Sequence, residues 1–275
     1  MTFSLVACDL ERREWGVAVA SKFLAVGAVV PWVRAEVGAV ATQSYANVLY
    51  GPDGIDLLSA GSSAQETVDR LVRADPEREQ RQLGVVDGGG GGATFTGSDC
   101  HDWAGGRTGP CFAAQGNILA GAVVVDALAE TFRTTDGPLA ARLLRALAAA
   151  DDAGGDSRGR QSAAIEVRRL GAGYGGNNDI MIDLRVDDHP DPVTELARLY
   201  RMHDRLFGTT PPELLIPIDH VSAELAGRLG SLGFGGEPAR ALVDWAANEN
   251  LEERLHEGLV DPIVLELLRE RTPQG

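Results

Sequence analysis

Thr2 is the residue with the most chemistry open to it. Removal of the initiator methionine would leave a free α-amine beside the Thr2 hydroxyl, and such an amine titrates near pH 8. It can take the hydroxyl proton at neutral pH, so one residue supplies nucleophile and general base. Lys22 is the only lysine in a chain that otherwise uses arginine. An ammonium close to residue 2 would favour the neutral amine, the form that accepts the proton; a solvated strand-end lysine is its other role. Asn117, Asn47 and Gln43 carry amide donors able to bind a developing oxyanion. The two asparagines lie beside turns, where Asx-turns are their ordinary use. Arg158 and Arg160 could grip a substrate carboxylate bidentately, with plain surface charge as the alternative.

Such groups need a frame, and the apolar pattern predicts one. Phe3–Cys8 and Gly16–Ala20 read as strands joined by the charged turn Asp9–Glu14, an antiparallel hairpin. Its second strand ends at Ser21-Lys22, and the pairing would return that end to residue 2. A nucleophile at a strand end is held rigidly, as catalysis requires. Val26–Val33 and Val37–Thr42 read as further strands. Apolar residues three and four apart predict helices over Gly54–Ala60 and Ala64–Ala74, the second capped by Ser62 or Ser63 with Glu66 in its first turn. Gln82–Val86 and Ala93–Thr96 are strands around five glycines, Gly88–Gly92. That run lacks the Lys-Ser/Thr of a phosphate-binding loop and is followed by a strand, so it reads as a hairpin tip.

Phe112–Gln115 is a strand ending at Gly116-Asn117. Val123–Phe132 and Leu139–Ala150 are Ala/Leu-rich helices. Ser162–Arg168 and Met181–Val186 are strands, and a helix runs from Asp191 to Leu206 with Pro192 in its first turn. Hairpins interrupted by helix pairs predict two sheets between helical layers rather than a doubly wound sheet. Gly208–Pro212 reads as a linker, which divides the chain into an α+β domain at 1–207 and a small helical domain at 208–275. The latter carries helices over Ser222–Gly230, Pro238–Asn248 and Pro262–Arg271. At roughly 60 residues it is marginal as an independent core and is expected to lean on the larger domain.

The chain has 275 residues, a net charge of -15 and a pI near 4.7. An acidic surface repels nucleic acid and anionic membranes, so neither is an expected partner. No stretch approaches the roughly 20 apolar residues of a membrane span, and the N-terminus lacks signal-peptide features. A cytoplasmic location follows as the expectation. Three cysteines, Cys8, Cys100 and Cys111, suggest a reducing compartment and packing roles.

The motifs TFSLVACD, WGVAVASKFLAVGAVVPW, GAVATQSYAN, RQLGVVD, FTGSDCHDWAG, AAQGNILAG and GGDSRGRQSAA together carry a resemblance. Over about residues 2–206 the chain resembles an uncharacterised bacterial family, a domain of unknown function assigned to the N-terminal-nucleophile hydrolase superfamily. The pattern also looks like proteasome-type subunits. The resemblance implies a four-layer αββα sandwich, with Thr2 on the nucleophile and Gly116-Asn117 near the oxyanion-binding turn. It puts Asp156 near the aspartate that supports the amine, and Ser157 or Ser162 near its serine. Ser21 stands where proteasome-type subunits carry an acidic residue, and Lys22 lies one place beyond it, not on the later strand that carries their lysine. The C-terminal segments LAGRLGSLGF, ALVDWAANENLEERLHEG and LVDPIVLELLRE resemble appendages called peptidoglycan-binding domains; packing or a subunit interface is the role expected here.

The expectation is therefore an amidohydrolase cleaving a small amide or amino-acid derivative. Thr2, Lys22, Asn117 and Asp156 are catalytic, and Ser21, Gln43, Asn47, Arg158 and Arg160 bind substrate. No cofactor or metal is expected, and a homo-oligomer, dimer or larger, is. A non-catalytic member of the fold, for assembly or ligand binding, is the alternative. A third reading has Asp183, Asp187, Asp188, His189 and Asp191 hold a hard cation, though their spacing matches no metal loop.

Overall fold

The computed structural model describes residues 2–272. The chain divides into two compact units, one up to Arg198 and one from Leu199. In chain order the first holds β1 (Thr2–Asp9), β2 (Glu14–Ser21), β3 (Pro31–Arg34), β4 (Gly38–Gln43), α1 (Tyr50–Ser59), α2 (Ala64–Ala74), β5 (Gln82–Asp87) and β6 (Gly92–Thr96). It continues with β7 (Gly105–Gly109), β8 (Phe112–Asn117), α3 (Ala122–Thr134), α4 (Leu139–Asp152), β9 (Ser162–Arg168), β10 (Ile180–Val186) and the start of α5 (Pro192–Phe207).

The expected hairpin is present: β1 and β2 pair antiparallel from Thr2↔Ser21 to Asp9↔Glu14. On its other side β1 pairs with β8, Thr2 opposite Asn117. The strand that begins the chain is thus central in a six-stranded sheet of order β10-β9-β2-β1-β8-β7. A four-stranded sheet of order β3-β4-β5-β6 packs against it. All eight residues of β1 are buried because both faces are covered. Side chains alternate between faces. Val6 and Cys8 meet Val17, Val19, Ala39, Ala41 and Val86 between the sheets. The other face of β1 carries Phe3, Leu5 and Ala7 on the side where α3 and α4 pack. The outer face of the smaller sheet, with Val40, Leu83 and Val85, buries Ile55, Leu58, Val68 and Leu71 of α1 and α2. Each such apolar side chain contributes about 1.5–3 kcal/mol on burial. The architecture is α+β with antiparallel sheets.

Local signals explain most boundaries. Ser63 caps α2, and with Glu66 it forms a reciprocal capping box, worth about 1 kcal/mol. Val26–Val33 is not one strand. It divides into a 3-10 turn, Val26–Ala28, and β3, which opens at Pro31. Gly27 sits where a Cβ would lie 2.6 Å from the Ala164 Cβ, so this segment hugs β9. Pro31, lacking an N–H, can only start a strand or lie at an edge. Strand β8 runs on through Gly116-Asn117, where a turn is expected, because both residues pair with β1. Strand β7, sequence GGRTG, escapes prediction: it is glycine-rich and sits at the sheet edge. The Cys8 thiol is pushed well above its ordinary range by burial and by neighbouring Cys111, and burial raises that of Cys100.

The second compact unit begins inside α5, at Leu199. The last turns of α5 belong to it because Leu206 joins its core. It adds β11 (Ile216–Pro217), α6 (Ile218–Ser231), α7 (Pro238–Asn248), β12 (Leu259–Val260) and α8 (Pro262–Arg271). Trp245, Leu225, Leu229, Leu242, Val264 and Leu268 form a core of its own. Beside it Arg254 and Asp261 make a buried ion pair of 2.8 Å. Thr210 donates to the same carboxylate at 2.7 Å, and Arg254 Nε donates to the Arg205 carbonyl at 2.6 Å.

In the first unit Asp75, just past α2, accepts from Asn47 Nδ2 (3.1 Å), Tyr50 (3.0 Å), Arg81 Nε (3.0 Å) and the Glu77 N–H (2.8 Å). Burial raises its pKa, but these bonds outweigh burial and hold it at about 2. Asp75→Ala is expected to cost about 3 kcal/mol at pH 7, by analogy with broken buried pairs, read by urea denaturation. A folded pKa below the unfolded value of about 3.9 stabilises fully above that pH and is lost as pH falls towards 2. The gap between variant and native protein should therefore narrow from pH 4 downwards.

Candidate functional site

The face of β1 between the sheets changes character along its length. Cys8 and Val6 are apolar; Ser4 and Thr2, at the opposite end, are not. Around these two the sheets exchange hydrogen bonds instead of methyl groups. Ser4 Oγ donates to Gln43 Oε1 (2.6 Å) and accepts from Gln115 Nε2 (2.7 Å). Gln43 Nε2 donates to Gln82 Oε1 (2.8 Å) and to the Thr2 carbonyl (3.3 Å). Asn117 Nδ2 donates to the same Gln82 Oε1 (2.9 Å), and Gln82 Nε2 returns to the Gly116 carbonyl (2.7 Å). All four amides are fully buried. An unpaired amide there would cost about 1–3 kcal/mol, so the network is tolerated because its members satisfy one another. Gln115 Oε1 is buried without a hydrogen-bond partner. It presses on Gly84, where a Cβ would lie 2.0 Å away.

Beyond this network lies a cavity of 390 Å³ lined by Thr2, Gln43 and Asn117. Phe23, Val26, Val29 and Val30, from the segment after β2, supply an apolar wall. Tyr45, His101, Ile118 and Arg158 complete it with their neighbours. Thr2 is 7% exposed, and its hydroxyl lies 3.0 Å from Ser21 Oγ. Tyr45 and His101 hydrogen-bond at 3.3 Å. Three lining residues without glycine's freedom adopt left-handed backbone: Ser44 (φ 59), Tyr45 (φ 44) and Ile118 (φ 52). Each costs about 1 kcal/mol or more. Ile118 is held there by its N–H donating to the His101 carbonyl at 2.9 Å. Strain of this kind persists where the surroundings over-determine it, and functional sites collect it.

The expected residues separate into those the pocket gathers and those it does not. Thr2, Asn117, Gln43 and Arg158 line it, and Ser21 touches Thr2. Lys22 does not: its ammonium donates to the Arg160 carbonyl at 3.2 Å on the surface. Lys22 lies one place past the end of β2, in a bend, with its backbone N–H turned onto Asp156. Asp156 does meet residue 22, but through the backbone: it accepts from the Lys22 N–H (2.7 Å) and the Arg158 N–H (2.9 Å). It pins the turn carrying Arg158 to the end of β2. Arg160 is engaged by Asp151 at 2.9 Å. Asn47 forms an Asx-turn to the Leu49 N–H (3.2 Å) and donates to Asp75, the bland role of such a residue. Ser157 donates to the Ile118 carbonyl (3.0 Å), and Ser162 accepts from the Val26 N–H (3.1 Å).

Ser4, Gln82, Gln115, Tyr45 and His101 are absent from the sequence-based set. The legible signal was alternation: Thr2 and Ser4 on β1, and Gln115 and Asn117 on β8, occupy inward positions where apolar residues are expected. Among the described residues no three His, Cys, Asp or Glu side chains gather for a metal. Members of the Asp/His run have other partners. Asp183 pairs with Arg185, Asp188 accepts from Gln161, and His189 Nδ1 accepts from the Asp191 N–H. No helix among them is long and apolar enough to cross a membrane.

The profile of a family of unknown function, DUF1028, matches residues 2–196. The chain belongs to this family. Every residue lining the Thr2 cavity falls within the matched stretch. The crystal structure of protein SPO2555 from Silicibacter pomeroyi, assigned to DUF1028, is similar at 33% identity with a TM-score of 0.67, covering 74% of this chain and 89% of that one. Residues 207–268 match a second profile, described as a putative peptidoglycan binding domain. No curated protein matches the chain.

In this DUF1028 chain Gln82 is the hub of the amide network. Gln82→Leu leaves Gln43 Nε2 and Asn117 Nδ2 without their shared acceptor. Gln43 Nε2 keeps the Thr2 carbonyl as an acceptor, so with Asn117 Nδ2 stranded at about 1–3 kcal/mol the loss should be about 1–3 kcal/mol. Calorimetry should show the melting temperature falling by about 2–4 °C per kcal/mol.

Proposed function

We propose that the protein is an N-terminal-nucleophile amidohydrolase acting on a small amide through Thr2. The observation that carries this reading is the position of the Thr2 hydroxyl. It sits at the cavity end of the central strand, 3.0 Å from Ser21 Oγ, with Asn117 paired beside it. The order of layers supports the reading: α1 and α2, the smaller sheet, the larger sheet, then α3 and α4, an αββα succession. Met1, whose removal the chemistry requires, lies outside the described residues.

In this mechanism the Thr2 hydroxyl attacks the amide carbonyl while its proton passes to the α-amine of the same residue. The Ser21 hydroxyl orients the nucleophile. Asn117 has two N–H groups on its amide; one is given to Gln82, and the other would serve the oxyanion. The protonated amine then returns its proton to the leaving nitrogen, and water releases the acyl group from Thr2. The Lys22 ammonium takes no part; its backbone N–H and Asp156 hold the end of β2 in place.

Mass spectrometry of the intact protein should find a chain beginning at Thr2, and a β-lactone probe should acylate that residue. Retained Met1, or labelling undiminished in Thr2→Ala, would overturn the mechanism. Labelling should accelerate as pH rises through about 8, because the neutral amine is the base. Ser21→Ala should slow it about 10–100-fold, the worth of one hydrogen bond to a reacting group.

A second reading, ligand binding without catalysis, is favoured by the match of residues 207–268. Along α6 Ala223, Gly227 and Ser231 open a groove edged by Arg228 and Arg271, a surface on which a polymer could lie. Co-sedimentation of the full chain with purified peptidoglycan tests it: protein left in the supernatant overturns it. Homo-oligomer formation belongs to the same proposal and is read by light scattering.

A further inference from the structure

The lining of the Thr2 cavity is at odds with the charge of the chain. There are 40 acidic and 25 basic residues, yet among the described residues no Asp or Glu lines this cavity, while Arg158 does. The acidic partner of Arg158 does not cancel this. The Asp156 side chain is 2% exposed, whereas that of Arg158 is 45% exposed. The Asp156 oxygens are turned onto the backbone N–H groups of residues 22 and 158. The carboxylate is covered and the guanidinium presented. Arg158 is also oriented in advance, since its Nη2 donates to the Lys22 carbonyl at 3.2 Å and lies 3.4 Å from Asp156 Oδ2. Holding a guanidinium in place removes much of the entropy cost of using it on a ligand.

The rest of the wall is of a different kind. Val26, Val29, Val30 and Ile118 offer only hydrocarbon, and Phe23, 51% exposed, extends that surface to the solvent. An exposed Phe at the edge of a cavity is a site where an apolar ligand group would be covered. A ligand that satisfies both walls has an apolar part and an anionic part. The Thr2 hydroxyl, lining the same cavity, asks for an amide.

We propose that the substrate is an N-acyl amino acid, an amide joining an apolar acyl group to an amino acid with a free α-carboxylate. This rests on the hydrolase reading of Thr2. The acyl chain lies against Val26, Val29, Val30 and Phe23, and Arg158 takes the carboxylate. The Thr2 oxygen bonds to the acyl carbon as the C–N bond breaks. The hydroxyl proton, carried by the α-amine, leaves on the amino acid. Water then adds to the ester, giving the apolar acid and restoring the hydroxyl, so one amide and one water yield one acid and one amine.

The test uses full-length protein beginning at Thr2, with N-isovalerylglycine and N-phenylacetylglycine, their glycinamide counterparts, and N-succinyl amines that carry the carboxylate on the acyl side. Released amine is followed by derivatisation. The acylglycines should be turned over about tenfold or more faster in kcat/KM than the glycinamides, the worth of a charge-assisted hydrogen bond. Arg158→Gln should bring that ratio close to one, and Arg158→Lys should restore part of it, with melting temperatures recorded for both. Equal turnover of acid and amide, a ratio unchanged in Arg158→Gln, or preference for the succinyl amines would overturn the assignment. Should either variant fold poorly, calorimetric binding of the same pairs to Thr2→Ala decides: equal affinity for acid and glycinamide overturns it. A β-lactone that labels Thr2 while the acylglycines are not preferred removes this inference and leaves the nucleophile standing; failure of labelling removes the nucleophile itself.

Discussion

The pairing of β1 on both sides is the constraint on which the rest of the site depends. Thr2 lies opposite Ser21 on one neighbour and Asn117 on the other. Thr2 is paired between two strands and buried, so it is located as firmly as a core residue. The same register decides which residues can reach it. A slip of one place would turn every side chain of β1 to the other face, moving Thr2 and Ser4 towards the helices and Phe3 and Leu5 towards the smaller sheet.

Near Cys8 and Val6 the two sheets adhere through hydrocarbon. Near Thr2 they adhere through Ser4, Gln43, Gln82, Gln115 and Asn117. The exchange adds little net stability, because each buried amide must recover what it loses in leaving water. It does impose position. An apolar interface tolerates small shifts, whereas a chain of donors and acceptors holds only at one separation and one register. The polar end of the interface between the sheets is thus suited to hold Asn117 and the Thr2 carbonyl still, and the left-handed residues Ser44, Tyr45 and Ile118 are held in the loops beside it. Asp156 performs a related service outside the sheets, fastening the Arg158 turn to the end of β2 by two backbone bonds.

The smaller unit solves a different problem. With few residues it must limit solvent-exposed apolar surface, and it does so around Trp245. Its buried Arg254 is bonded to Asp261 and to backbone carbonyls of α5, and Asp261 also caps α8 through the Ile263 N–H. One ion pair therefore joins the end of one helix to the start of another. Such a pair contributes more to specifying that arrangement than to total stability, since desolvation offsets much of its attraction.

Periodicity and punctuation in the sequence were enough to determine the elements: the β1–β2 hairpin, the capped helix α2, strand β9, and helices α7 and α8 all follow from apolar spacing, caps and prolines acting within a few residues. Where local signals were weak, as in glycine-rich β7 or in Val26–Val33 pressed against β9, the chain did not disclose its form. Candidate chemistry was legible by type at Thr2, Ser21, Gln43, Asn117 and Arg158. Only the tertiary structure decided which candidates meet. It turned the Lys22 ammonium to the Arg160 carbonyl, engaged Arg160 with Asp151 and Asn47 with Asp75, and brought in Gln82 and Gln115 from distant strands. Helices and turns are written in neighbouring residues, but a site is made of side chains far apart in the chain, and their meeting depends on sheet register and layer packing that no local window contains.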